Sequence, residues 1–239
     1  MKKPPLFTII YEDDDIIAVN KSSGLSVGGD RWDKSLDRLD KLIAEKIFTV
    51  HRIDRETSGL VVFAKNETMH RKFSLAFEKR EVKKSYIDIV HGRPPWKETQ
   101  CDLPLVTDGN KKHLTIIDKY RGKKSLTRFI LTGSAGNYSI LEALPVTGRT
   151  HQIRVHAAAL GFPVACDSLY GKDKPLFLSA IKNNWRGDRL EEKPLLSRLG
   201  LHASDISLPL SDTGDTLNLH APLPRDMAAL IKQMKKSGA

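Results

Sequence analysis

Apolar and polar positions change period several times along the chain, and the changes mark its elements. Residues 7–11 and 16–20 read as short strands split by an acidic turn from Glu12 to Asp15. Leu36, Leu39, Leu42, Ile43 and Ile47 follow a helical spacing, which predicts a helix over residues 35–48 with Ser35 as its N-cap. The apolar run 60–64 predicts a buried strand, and Met69, Phe73, Leu75 and Phe77 mark an amphipathic helix over 67–79. Strands are expected at 85–90, 126–131 and 138–143, then a helix over 152–160 that ends at Gly161, a favourable C′ residue. Late strands at 205–208 and 216–219 precede a helix over 225–236. Strands in runs, with helices interspersed but no steady alternation, predict an α+β fold. No internal repeat or long linker divides residues 1–239, so a single domain is expected.

Composition changes that picture little, but charge changes it more. At 239 residues, with a hydrophobic fraction of 40% and a charged fraction of 28%, the chain is long and apolar enough for a sizeable core. Its net charge of +10 favours a polyanionic partner. Nucleic acid and an anionic membrane both fit charge alone, but no apolar run approaches the roughly 18 residues needed to span a bilayer. The basic start, Met1-Lys2-Lys3, leads into an apolar stretch that stops at Tyr11, too soon for a secretory signal, so the cytoplasm is the expected location. Cys101 and Cys166 have no metal-ligand spacing and are expected to be reduced and structural. Positive charge gathers in residues 111–128, with Lys111, Lys112, Lys123 and Lys124, and again in 172–198 around Trp185. Both are candidate nucleic-acid surfaces, although most charge runs are simply solvated faces.

The densest chemistry lies in residues 51–65. Asp54 sits among His51, Arg52 and Arg55, ahead of a Thr57-Ser58-Gly59 turn and the apolar strand. Positive neighbours favour the charged form of a carboxylate, so Asp54 suits a nucleophile, a base or an ion-pair partner better than a proton donor. Capping of a turn, or neutralisation of the two arginines, is the plainer alternative. Arg149, His151, Arg154 and His156 crowd a second segment; on a helix His151 and Arg154 share a face. A zinc site there is weak, because the histidines are five apart and no third ligand is near, so no metal is expected. Backbone satisfaction or phosphate contact suits both histidines.

The segment His51-Arg52-Ile53-Asp54 followed by Thr57-Ser58-Gly59-Leu60 resembles the catalytic motif of the RluA-type pseudouridine synthases. Residues 11–21, 84–92, 147–156 and 201–203 are similar to other motifs of that family, in family order. The resemblance implies the pseudouridine synthase fold, a mixed and largely antiparallel sheet with flanking helices and a catalytic cleft. It implies isomerisation of uridine to pseudouridine in ribosomal or transfer RNA, with Asp54 as nucleophile and no cofactor. Tyr86 would pack on the target base and Arg154 would pair with Asp54. Arg52 would fill the place a flipped uridine leaves, and Arg55, Arg149, Lys111, Lys112, Lys123 and Lys124 would contact RNA. RNA is the expected partner, with no membrane and no protein partner, and a monomer is expected.

Two departures stand out. The family's Asn-Lys-Pro-x-Gly appears here as Asn20-Lys21-Ser22-Ser23-Gly24, and no accessory RNA-binding module is expected ahead of the catalytic domain. A non-catalytic RNA-binding protein that retains the fold is the alternative from another class. Glycoside cleavage by Asp54 is weaker still. It would need a second, proton-donating carboxylate, and Glu56 is the only close one.

Overall fold

The computed structural model describes residues 5–28, 38–43, 46–107, 114–182, 184–210 and 214–237. The chain forms two compact units that interleave in sequence: Met1–Ser85 with His202–Leu223, and Tyr86–Leu201 with Pro224–Ala239. The first unit begins with β1 (Phe7–Glu12), β2 (Ile16–Lys21), α1 (Leu39–Leu42), β3 (Phe48–Thr49), β4 (Ser58–Ala64) and α2 (Glu67–Glu78). The chain enters the second unit within β5 (Lys83–His91) and continues through β6 (Glu98–Cys101), β7 (Leu105–Thr107), β8 (Thr115–Ile117), β9 (Thr127–Ala135), β10 (Tyr138–Pro145) and α3 (Gln152–Ala159). It returns with β11 (Leu201–Pro209) and β12 (Thr216–His220) before α4 (Arg225–Ser237) closes the second unit.

In the first unit β4 is the hub, and all seven of its residues are buried, as a strand covered on both faces requires. It pairs antiparallel with β2 and β3 and parallel with β11 at Ser58–His202 and Gly59–Ala203. The Glu12–Asp15 turn is held by Asp13, whose Oδ1 accepts from the Asp15 and Ile16 amides at 2.9 and 2.8 Å. Leu60 and Val62 pack with Phe73 and Ala76 of α2 and with Ile206 and Leu208 of β11. Asn66 caps α2 by accepting from the Met69 amide at 2.9 Å, which satisfies one otherwise orphaned N–H.

The helix expected over 35–48 is corrected. The described helix is only Leu39–Leu42, and Ile43 turns to extended backbone at φ −75° and ψ 121°. Phe48 instead pairs with Ala64 on β4 and stacks its ring on His70 at 5.3 Å, so sheet pairing overrides the apolar spacing. Ser35 lies outside the described residues.

In the second unit β10 is central, antiparallel to both β5 and β9, and β6 extends the sheet beside β9. Ile153 and Ala157 of α3 pack on Val90, Phe129, Leu141 and Ala143. Residues Gln152 to Ala157 are all buried, which is why α3 carries little polar–apolar periodicity. Gly161 follows it at φ +90°, a conformation that glycine adopts without strain. β7 and β8 form a separate hairpin. Met227, Leu230, Ile231 and Met234 bury one face of α4, and Arg198 grips Asp226 with two bonds of 2.7 Å. Cys101 and Cys166 are free and buried, and burial pushes the Cys166 thiol up to about 11. The α+β expectation holds, with mostly antiparallel strand pairings and β4 parallel to β11.

Candidate active site

The first unit brings three separated sequence motifs onto one loop. Asp54 is half-buried on the stretch between β3 and β4, and its carbonyl accepts from the Thr57 amide at 3.1 Å. Lys21 reaches in from β2, only 1% exposed, and donates to the carbonyls of Ser22 and Arg55 at 2.9 and 3.0 Å. The Gly24 amide and the Ser23 hydroxyl bind the carbonyls of Arg55 and Glu56 at 2.9 and 2.7 Å. The Ser22-Ser23 departure therefore leaves the turn anchored to the Asp54 loop.

From the far end of the unit comes His202. Its Nε2 donates to the Ala221 carbonyl at 3.1 Å, so its Nδ1 is the acceptor for the Ser58 hydroxyl at 3.0 Å. Gly59, at φ +115°, lies so close to Ala203 that a Cβ would fall 2.2 Å from its carbonyl oxygen. His51 closes the other side of the loop. Its Nε2 accepts from the Val62 amide at 2.9 Å, and its ring stacks on Phe77 at 4.9 Å. Burial, helped by Lys84, pulls this imidazole down to about 3, so it stays neutral and holds the loop.

The second unit builds a network around Arg154, on the first turn of α3. Its Nε and Nη2 donate to the two Asp167 oxygens at 2.8 and 2.7 Å, a bidentate fork with side chains 4% and 0% exposed. Asp167 Oδ1 also accepts from the Leu169 and Tyr170 amides. Burial alone would raise this carboxyl, but Arg154 and the two amides hold it below the usual range. The guanidinium sits 5.2 Å over the Tyr170 ring. The Tyr170 hydroxyl accepts from the Thr115 amide of β8 and shares a 2.8 Å bond with His151 Nδ1. His151 itself is left-handed at φ 54°, immediately before the helix, and it and Arg154 both meet the Tyr170 side chain.

Gln152 ties the same segment to β9, donating to the Leu126 carbonyl and Thr127 Oγ1 and accepting from Thr147 and the Arg149 amide. His156 is buried between Thr127 and the Leu103 carbonyl, each at 3.0 Å, which is backbone and side-chain satisfaction. Among the described residues no three His, Cys, Asp or Glu side chains are placed to hold a metal ion.

Tyr86 is half-buried on β5, opposite Ala143 of β10. Two residues along the same face lies Asp88, fully buried opposite Leu141, and neither carboxyl oxygen has a hydrogen-bond partner among the described residues. Burial pushes its ionisation well above the ordinary carboxylate value. The unfolded chain loses this proton near pH 4 while the folded chain keeps it, so this group's contribution falls as pH rises from there. Asp88→Asn removes the titration. The stability of that variant relative to the parent should rise with pH above 4, by up to about 1.4 kcal/mol per unit. Urea unfolding of both proteins at pH 5 and pH 7 checks this, and a constant difference would contradict it.

Asp54, Arg52 and Arg55 thus belong to the first unit, and Tyr86, Arg149, Arg154, Lys123 and Lys124 to the second. Arg52 is exposed, whereas Arg55 uses its Nε on the Gly24 carbonyl at 3.0 Å. Lys123 and Lys124 are exposed, and Arg149 is half-buried with its Nε 3.4 Å from the Lys124 carbonyl. Lys111 and Lys112 lie outside the described residues. Sequence reasoning missed Asp167 and Tyr170, for which the acid-and-tyrosine pair in Asp167-Ser168-Leu169-Tyr170 was the available signal, and it gave Thr147 and Gln152 no role of their own within the 147–156 motif.

The chain is similar to known proteins over most of its length. A family model described as RNA pseudouridylate synthase matches residues 15–159. A ribosomal large subunit pseudouridine synthase C from Rickettsia bellii is 34% identical over 222 residues, covering 90% of this chain and 68% of its own. A dual-specificity RNA pseudouridine synthase RluA from Haemophilus influenzae is 32% identical over 225 residues, covering 91% and 93%. Among solved structures, human RNA pseudouridylate synthase domain containing 4 superposes with a TM-score of 0.72 at 24% identity, covering 95% of this chain and 92% of that one, which is a likeness of fold.

Proposed function

The chain belongs to the RluA-type RNA pseudouridylate synthase family, and from that membership we propose that it isomerises uridine to pseudouridine in ribosomal RNA with Asp54 as its nucleophile. The reaction breaks the bond from N1 to C1′, turns the base, joins C5 to C1′ and releases the C5 proton. No electrons are gained or lost, so a carboxylate nucleophile that carries a covalent intermediate suffices. The observation that carries the reading is the bracing of the Asp54 loop by Lys21, Ser23, His51 and the Ser58–His202 bond, which fixes a half-exposed carboxylate in advance.

Tyr86 is proposed to pack on the target base, where a phenol can both stack and move a proton. Arg154 is proposed as the partner of the Asp54 carboxylate, the role that membership of the family implies for it. Arg52 would occupy the place of the flipped uridine, and Arg55, Arg149, Lys123 and Lys124 would meet phosphates. The protein is proposed to act as a monomer in the cytoplasm. Among the described residues no helix is long and apolar enough to cross a membrane.

Ribosomal and transfer RNA transcripts from the source organism, incubated with the protein and treated with carbodiimide, show pseudouridine as stops in reverse transcription. New stops are expected in large-subunit ribosomal RNA. Stops confined to transfer RNA would overturn the ribosomal assignment, and their absence from both would overturn the function.

A further inference from the structure

We propose that Tyr120 is a stacking platform for an unpaired base of the RNA substrate, carried on a rigid basic turn. This rests on the RNA reading above and names a contact within it. Tyr120 is 98% exposed, so its ring contributes almost nothing to the core of its unit. The turn beneath it is nevertheless tightly built. Asp118 Oδ1 accepts from the Tyr120 and Arg121 amides, both at 2.9 Å, and Oδ2 takes the Arg121 Nε at 2.7 Å. The Asp118 carbonyl accepts from the Gly122 amide at 2.9 Å, and a Cβ on Gly122 would fall 2.2 Å from that oxygen, so glycine is what lets the turn close. At its base Lys123 and Leu105 exchange main-chain bonds of 3.0 and 2.8 Å. A backbone fixed in advance loses little freedom when a ligand arrives, which favours binding.

The chemistry around the ring selects the ligand. Lys119, Lys123 and Lys124, near Tyr120 in the sequence, are exposed, while the charge of Arg121 is matched by Asp118. One exposed flat ring on a segment that carries exposed lysines suits a partner that is both anionic and flat-faced, and an unpaired nucleotide is both. A membrane would ask for a broader apolar face than this turn offers. The position suits a flanking nucleotide. The turn follows β8, whose Thr115 amide bonds the Tyr170 hydroxyl beside Arg154. Five residues further on, Tyr120 can lie at most about 17 Å from Thr115.

Fluorescence anisotropy with a short fluorescein-labelled RNA, single-stranded or annealed to its complement, tests this on the full chain. Tyr120→Ala is expected to weaken single-strand binding about tenfold with an unchanged salt slope, and to leave duplex binding within about twofold. Tyr120→Phe should bind as the parent does, because the ring remains. Lys123→Ala should lower the salt slope by roughly 0.7 on the single strand. Equal single-strand affinity for Tyr120→Ala, an equal loss on the duplex, or a loss in Tyr120→Phe matching that in Tyr120→Ala would overturn the proposal. Absence of RNA binding by the parent would instead remove the RNA reading, and this contact with it. An unchanged thermal midpoint is expected for each variant of so exposed a residue.

Discussion

Asp167→Asn is expected to lower stability by about 3–5 kcal/mol, because it removes the charge of a buried carboxylate that grips the Arg154 guanidinium with two hydrogen bonds. The pair is bidentate and 4% and 0% exposed, so water cannot take over from the lost carboxylate. An asparagine oxygen can still accept from the Leu169 and Tyr170 amides, so the loss belongs to the ion pair and not to the loop. Turnover should fall with stability, since Asp167 fixes the direction of the guanidinium above Tyr170. A second variant separates the two effects. Arg154→Met combined with Asp167→Leu replaces the pair by apolar groups, which often restores stability. That double variant should regain most of the urea midpoint and remain inactive. A single variant with an unchanged midpoint would mean that the fork does not hold this part of the fold.

Gly59→Ala is expected to be as damaging for a different reason. Its Cβ would meet the Ala203 carbonyl oxygen at 2.2 Å and the Ala203 nitrogen at 2.6 Å, both main-chain atoms of the paired strand β11. The residue also holds φ +115°, where an L side chain is strained. Relief requires β4 and β11 to separate, which would break the Ser58–His202 bond and loosen the anchor of the Asp54 loop. A loss of roughly 3 kcal/mol or more is expected from combined strain and broken pairing. Gly24→Ala is the control. Gly24 is also left-handed at φ +89°, but nothing lies within 4 Å of its Cβ position, so strain alone remains, about 1 kcal/mol. Similar urea midpoints for the two variants would show that the close approach to Ala203 is unimportant.

Elements whose own residues dictate a period were legible along the chain. β2 and β4 are continuous apolar runs, α2 and α4 have clean apolar faces, and Gly161 ended α3 where expected. The strands missed, β3, β6, β7 and β8, have two to four residues each. β6 reads Glu98-Thr99-Gln100-Cys101, and its conformation is imposed by pairing with β9. The truncated helix α1 has the same origin, since Phe48 is drawn to β4. At the site, Asp54 and Arg154 stood out because they lie in dense charge clusters and within motifs that resemble a known family. Asp167 stood in an otherwise unpatterned loop, and its partner is thirteen residues away. Ser58 and His202 are separated by 144 residues, so no local pattern could reveal their bond.

Conversion of uridine to pseudouridine expels the hydrogen at C5, so tritium placed there reports the reaction directly. Ribosomal RNA labelled in this way should release tritium with the intact protein and not with Asp54→Asn, while both proteins bind the RNA. Release by Asp54→Asn at the rate of the parent would contradict the assignment of Asp54 as the nucleophile.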